Sequence, residues 1–145
     1  MQTTNYSSNL LVDKTPHEVF NAINDVSAWW SIHLVGNTKS LNDEFTVRFG
    51  ETYITMKVTE SINDKKIVWL VTDCYKHWVK HNKIEWIGTN IVFEISSQNN
   101  KTKIDFTHIG LVPELECYDN CEKGWNQFFN DSLAKLIIEG KGQPY

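Results

Sequence analysis

Residues 117–137, CYDNCEKGWNQFFNDSLAKLI, place apolar or small side chains at Cys117, Cys121, Trp125, Phe128, Phe129, Ser132, Leu133, Leu136 and Ile137. These spacings return once per helical turn and predict one long amphipathic helix. Lys123, Asn126, Gln127, Asn130 and Asp131 fall mostly on the opposite face. Gly140 ends the pattern, and Pro144 prevents its resumption. A helix with one apolar stripe must bury that stripe against another element, so the rest of the chain has to supply a complementary apolar face.

The preceding sequence supplies it as strands. Residues 5–12 read as a first strand. DKTPHEVFNAIND then reads as a helix with Asp13 or Thr15 as cap, Pro16 in the first turn, Glu18 three residues after Thr15, and Val19, Phe20 and Ile23 as its apolar stripe. VSAWW reads as a second short helical piece, and the pair is expected to cross from one sheet edge to the other. Phe45, Val47 and Phe49 alternate with Thr46 and Arg48, and Ile54, Met56 and Val58 alternate with Thr55, Lys57 and Thr59. That period is the mark of half-buried antiparallel strands. Residues 65–73, KKIVWLVTD, are apolar on both faces and predict a central or covered strand. Ile91, Phe93 and Ile95, then Ile104, Phe106 and His108, define the inward faces of two further strands joined by a polar hairpin turn. The order predicts an α+β fold: a curved antiparallel sheet of about six strands wrapped around the C-terminal helix, as one domain over residues 1–145.

A length of 145 residues with 41% hydrophobic and 22% charged content suits one core. The net charge of −4 lacks the basic footprint that duplex nucleic acid or an anionic membrane surface requires. No apolar run approaches the ~18 residues of a membrane span, and the polar start MQTTNYSSNL has no signal-peptide pattern. Three cysteines, an odd number, argue against a disulfide framework and favour a reducing cytoplasm. Aromatic residues make up 12% of the chain, enough to fill a core and also to line an apolar pocket.

The segments TPHEVFNAINDVSAWW, FTVRFG, KIVW and THIGLVPELECYDNCEKGW, followed by SL and GKGQP, together resemble the START-like (SRPBCC) superfamily with its helix-grip fold. Within it the chain is similar to the bacterial single-domain homologues of the activator of the heat-shock-protein-90 ATPase. The likeness covers essentially the whole sequence and is most specific in the C-terminal GLVP…ECY…C…GW block. It implies a cavity between sheet and C-terminal helix that holds an apolar or amphipathic small molecule, and no shared catalytic triad. Chaperone-activating members carry an additional N-terminal domain that this sequence does not show, so chaperone activation is not the expected role.

Small or polar groups on the helix face leave room for such a cavity. Ser132 lies in the middle of the apolar stripe, and Gly124 flanks it at a cost of about 1 kcal/mol relative to Ala. Close packing, with the serine hydroxyl bonded one turn back, is the alternative. Trp30, Phe49, Trp69, Trp86, Phe93, Trp125 and Phe129 are the candidate walls: each taken alone reads first as plain core, and together they suit an aromatic-rich cavity.

The stretch HIGLVPELECYDNCEKGW admits three readings. His108, Cys117 and Cys121 could be zinc ligands, but structural zinc favours four ligands and short cysteine knuckles. A Cys117–Cys121 disulfide would need Cβ atoms closer than the ~5–6 Å of helical neighbours. The favoured reading is structural: two small thiols seat the helix start, with Asp119 and Glu122 as its charge or capping partners. His108 points inward, as a satisfied core residue or as the polar anchor of a bound carboxylate or hydroxyl. Cys121 and Ser132 join His108 among the expected ligand-binding residues; Arg48, Glu94 and Tyr118 are weaker polar candidates.

These readings predict a binding protein for a small apolar or amphipathic molecule, with no cofactor, metal or catalytic residue, as a monomer or homodimer. A polyketide cyclase-like enzyme would need further polar groups converging in the cavity. A chaperone-type interaction module would act through a surface such as residues 75–86, YKHWVKHNKIEW, in which Trp78 is either an exposed contact or a lid.

Overall fold

The structure is a computed structural model that describes residues 4–145. The first three positions of the polar start lie outside the described residues. Strand β1 (Tyr6–Val12) leads to helices α1 (Pro16–Asn24) and α2 (Val26–Trp29). Strands β2 (Leu34–Gly36), β3 (Glu44–Phe49), β4 (Thr52–Ile62), β5 (Lys66–Tyr75), β6 (Asn90–Gln98) and β7 (Lys101–Ile109) follow. The chain then runs through α3 (Tyr118–Trp125), a π-helical stretch (Asn126–Leu133) and α4 (Ala134–Glu139). No helix among the described residues is long and apolar enough to cross a membrane.

All seven strands form one antiparallel sheet in the order β1-β7-β6-β5-β4-β3-β2. The helices α1 and α2 therefore carry the chain from one edge to the other, as their place in the sequence implies. The sheet has one strand more than expected. The addition, β2, is three residues long and mostly exposed, too short to display an alternation. The apolar strand β5 is central, and two register shifts against β4 mark bulges that bend the longest pair around the helix. Thr15 and Glu18 form the expected capping box on α1: the Thr15 hydroxyl accepts from the Glu18 N–H, and the Glu18 carboxylate accepts from the Thr15 N–H.

The C-terminal helix departs from a plain α-helix for a reason written in its repeat. Cys117, Cys121, Trp125, Phe129, Leu133 and Ile137 are all buried and stand four residues apart. At 3.6 residues per turn, each step of four overshoots by about 40°, so five steps would carry the row about 200° around the axis. The π-helical stretch, with i→i+5 bonding and roughly 4.4 residues per turn, takes back about 18° per residue. Eight such residues cancel most of the drift and leave the row within one apolar face. Gly140, at φ 80°, then closes α4 in the left-handed conformation.

Ser132 is buried on this face and does not leave a gap. Its hydroxyl donates to the Trp29 carbonyl at 2.7 Å and accepts the Gln143 N–H at 2.7 Å, so it joins α2, the helix and the C-terminal segment. The acceptor lies on a neighbouring helix rather than one turn back. Asn126 and Asn130, expected among the polar residues facing away, accept from Tyr6 and Ser8 and pin the edge strand β1. Ser132→Ala leaves two backbone groups without their partner; unfolding in urea is expected to show a loss of about 1–3 kcal/mol with an unchanged slope.

Candidate functional site

Ring side chains fill most of the space between sheet and helix. Trp69 is fully buried, stacked with Trp29 and Trp30 at centroid distances of 6.5 and 6.1 Å, with the edge of Phe93 4.9 Å away. Phe106 packs between Phe93 and Phe129 at 5.1 and 4.8 Å. Trp69, Phe93 and Phe129 are thus solid core and do not reach a cavity.

An apolar cavity of about 230 Å³ remains at one end of the helix. Trp30, just after α2, lines it with Phe49 of β3 and Ile54 of β4, and Cys121, Gly124, Trp125 and Phe128 line it from the C-terminal helix. The β5–β6 connection, residues 76–89, adds Lys76, Trp78 and Trp86. Of the residues expected at the site, Trp30, Phe49, Trp86, Cys121 and Trp125 are brought together here. Trp69, Phe93, His108, Phe129 and Ser132 lie behind the walls. A larger depression of about 580 Å³ beside α2 is lined mainly by polar loop residues and offers no comparable enclosure.

Gly124 borders the opening. A Cβ placed there would meet no heavy atom within 4 Å, so the helix presents bare backbone to the cavity. Trp78 is 45% exposed and stands at the mouth, as a lid would. Lys76 is 5% exposed, with Nζ 3.7 Å from the Trp86 ring centroid.

His108 supports the walls without entering the cavity. Trp125 Nε1–H donates to His108 Nδ1 at 3.0 Å. On the other side, Thr89 Oγ1 donates to the Trp86 carbonyl at 2.6 Å and is left to accept from His108 Nε2–H at 2.9 Å. Both ring nitrogens are thereby used, which fixes the neutral Nε2–H tautomer and leaves none for a ligand. Of the two readings of His108, these bonds fit the satisfied core residue rather than the ligand anchor. Burial, assisted by the nearby Lys76 cation, lowers its pKa to about 3.

The two helix-start cysteines are free and buried with Cys74. A hydrogen bond from the Cys117 thiol pushes Cys117 up and holds Cys121 below the usual thiol range, with the Lys76 cation acting in the same direction on Cys121. Trp86 Nε1 makes no hydrogen bond of ordinary geometry, although its N–H also favours the Cys121 thiolate. Of the two roles expected for Asp119 and Glu122, charge or cap, Asp119 stands in the first turn as an acidic residue, and no side chain of the helix caps its start; a long-range partner lies just before it. Glu85 accepts from the backbone N–H groups of Glu116 and Cys117 at 2.9 and 3.3 Å. Glu116 reciprocates, accepting from the N–H groups of His81 and Asn82, which lowers its pKa. This crossed clasp holds the connection over the cavity. Sequence reasoning misses Lys76 because a lysine in a polar connection reads as solvated; its position beside two tryptophans is the one local signal.

Fold and site together define a helix-grip protein with a small aromatic-lined cavity. The chain belongs to the family described as Activator of Hsp90 ATPase homolog 1-like protein, whose pattern matches residues 13–137. Among solved structures it is similar to the Aha1 dimer from Colwellia psychrerythraea, with 22% identity over 96% of this chain and 99% of that one and a TM-score of 0.77. It is also similar to DynU16, from the dynemicin biosynthetic locus, with 16% identity over 96% of this chain and 49% of that one and a TM-score of 0.71. CalU16 from Micromonospora echinospora gives 11% identity over 95% and 87% of the two chains and a TM-score of 0.62. No curated protein matches the chain.

The neutral state of His108 has a measurable consequence. Above pH 6.5 the ring is uncharged in both folded and unfolded chains. Below it the unfolded chain binds a proton that the folded chain refuses until about pH 3, so stability falls as pH falls through that window. Between pH 7 and pH 5 the wild type is expected to lose about 2 kcal/mol from this group. That component disappears in His108→Gln, read by urea unfolding at the two pH values.

Proposed function

We propose that this chain is a binding protein for a small apolar or amphipathic molecule, held in the cavity between β3, β4, the β5–β6 connection and the C-terminal helix. The observation that carries this reading is the open space of about 230 Å³ beside Gly124, bounded by indole and phenyl walls. An apolar cavity of about 150 Å³ holds benzene, so this one suits a ring with a short substituent. The family's fold supports the reading.

An acid–base enzyme of the cyclase kind is less well supported. Among the cavity's side chains only Lys76 and Cys121 titrate, and no carboxylate or histidine faces them there. The reading includes a homodimer, supported by the dimeric Colwellia psychrerythraea protein, and a reducing cytoplasm, supported by the three free thiols. Light scattering behind a sizing column tests the first, with a mass of one chain at working concentration ruling it out.

Indole, a neutral probe of suitable size, tests the cavity. In nitrogen–proton correlation spectra its addition is expected to shift the Trp86 and Trp125 indole signals of the wild type. Gly124→Leu fills the gap and replaces a poor helix former, so it should keep or raise stability while weakening indole binding by about tenfold or more. Signals that stay in place in the wild type, or shift identically in Gly124→Leu, would remove the cavity as a binding site.

A further inference from the structure

Lys76 is the one basic group on the cavity wall, and no carboxylate lines the cavity with it. The residue as a whole is 5% exposed, and among the described residues its Nζ makes no salt bridge; the ammonium itself is not sealed from solvent and opens to the cavity. Its contacts are the faces of Trp86, at 3.7 Å, and Trp78, at 5.7 Å. Cation–π attraction to the two indole faces holds the ammonium at the cavity wall, where an anion entering the cavity would meet it directly.

The same connection shows that this vacancy is specific. Lys83 spends its ammonium on the carbonyls of His77 and Val79, a purely structural use. The nearby carboxylates are equally committed: Glu85 holds the start of α3, and Glu116 holds the backbone at His81 and Asn82. With those two acids turned to backbone N–H groups, the Lys76 ammonium is left facing the cavity.

We propose that the cavity selects a small aromatic monocarboxylate, its ring among Trp30, Trp86, Trp125 and Phe128 and its carboxylate ion-paired with Lys76 Nζ. The inference rests on the binding reading above and names the ligand class. Three features converge on it. The walls are flat rings, with Trp86 and Trp125 nearly parallel at 9° and 5.9 Å, and such faces favour an aromatic guest beyond the area it buries. The volume of about 230 Å³ suits one ring and a short arm and is too small for a long acyl chain. The one cationic group on the wall gives a fixed place for one carboxylate, through a charge-assisted hydrogen bond.

The test compares 3-phenylpropionate with 3-phenylpropan-1-ol, which share a ring and an arm and differ in charge. Calorimetric titration is run on the wild type, Lys76→Met and Lys76→Arg. The wild type is expected to bind the acid about tenfold or more tightly than the alcohol, the worth of one hydrogen bond to a charged group. Lys76→Met, which keeps the length of the stem and removes the charge, should abolish that preference by weakening the acid alone; Lys76→Arg should restore part of it. Thermal unfolding checks that Lys76→Met is folded. If it is not, added salt in the wild type takes its place, expected to weaken the acid and spare the alcohol. Equal affinities of acid and alcohol in the wild type, or a preference that survives in folded Lys76→Met, overturns the proposal. Indole and the alcohol bound without the acid would overturn it while leaving the cavity reading intact; no binding of any of the three removes both.

Discussion

The long C-terminal helix stays against the sheet only because its middle is wound more loosely than an α-helix. A row of apolar residues four apart cannot face one direction along 3.6-residue turns. The π-helical stretch Asn126–Leu133 reconciles the two and keeps Cys121, Trp125, Phe129, Leu133 and Ile137 in one line. Everything at the site follows from that alignment. Trp125 reaches His108, Ser132 reaches Trp29, and Gly124 comes to lie over the one region that no side chain fills.

The interior shows how a sheet that could enclose a large cavity encloses a small one. The three indoles of Trp29, Trp30 and Trp69 stack through its centre, and Phe93, Phe106 and Phe129 occupy the next layer. Large rings in contact leave voids only where their layers end. That place is bounded by two rings, Trp86 and Trp125, whose orientations are fixed from behind by a neutral histidine. His108 acts on the cavity by holding its walls: one nitrogen receives the Trp125 indole, and the other is tied through Thr89 to the Trp86 backbone.

Much of the architecture is legible from the chain alone because it depends on local repetition. Alternating Ile54, Met56 and Val58 specify a strand face, Thr15 with Glu18 specifies a helix start, and a strand apolar on both faces, such as that around Trp69, belongs in the middle of a sheet. The strict four-residue row also carries the signal for π-helical winding, since an ordinary amphipathic helix alternates steps of three and four. The site is less legible because it depends on contacts between distant segments. Glu85 and Cys117 are joined across a long separation, and nothing local to Cys117 indicates that its cap comes from elsewhere. Four of the seven aromatic candidates line the cavity and three fill the core, a division set by depth in the folded layers rather than by residue type.

The crossed carboxylates of Glu85 and Glu116 have a mechanical consequence. Each is anchored on one segment and grips the backbone of the other, so the two segments cannot separate by releasing a single contact. Trp78 sits on the strap between those grips with its side chain 45% exposed, so its indole can turn without either carboxylate letting go: a loose shutter on a latched frame.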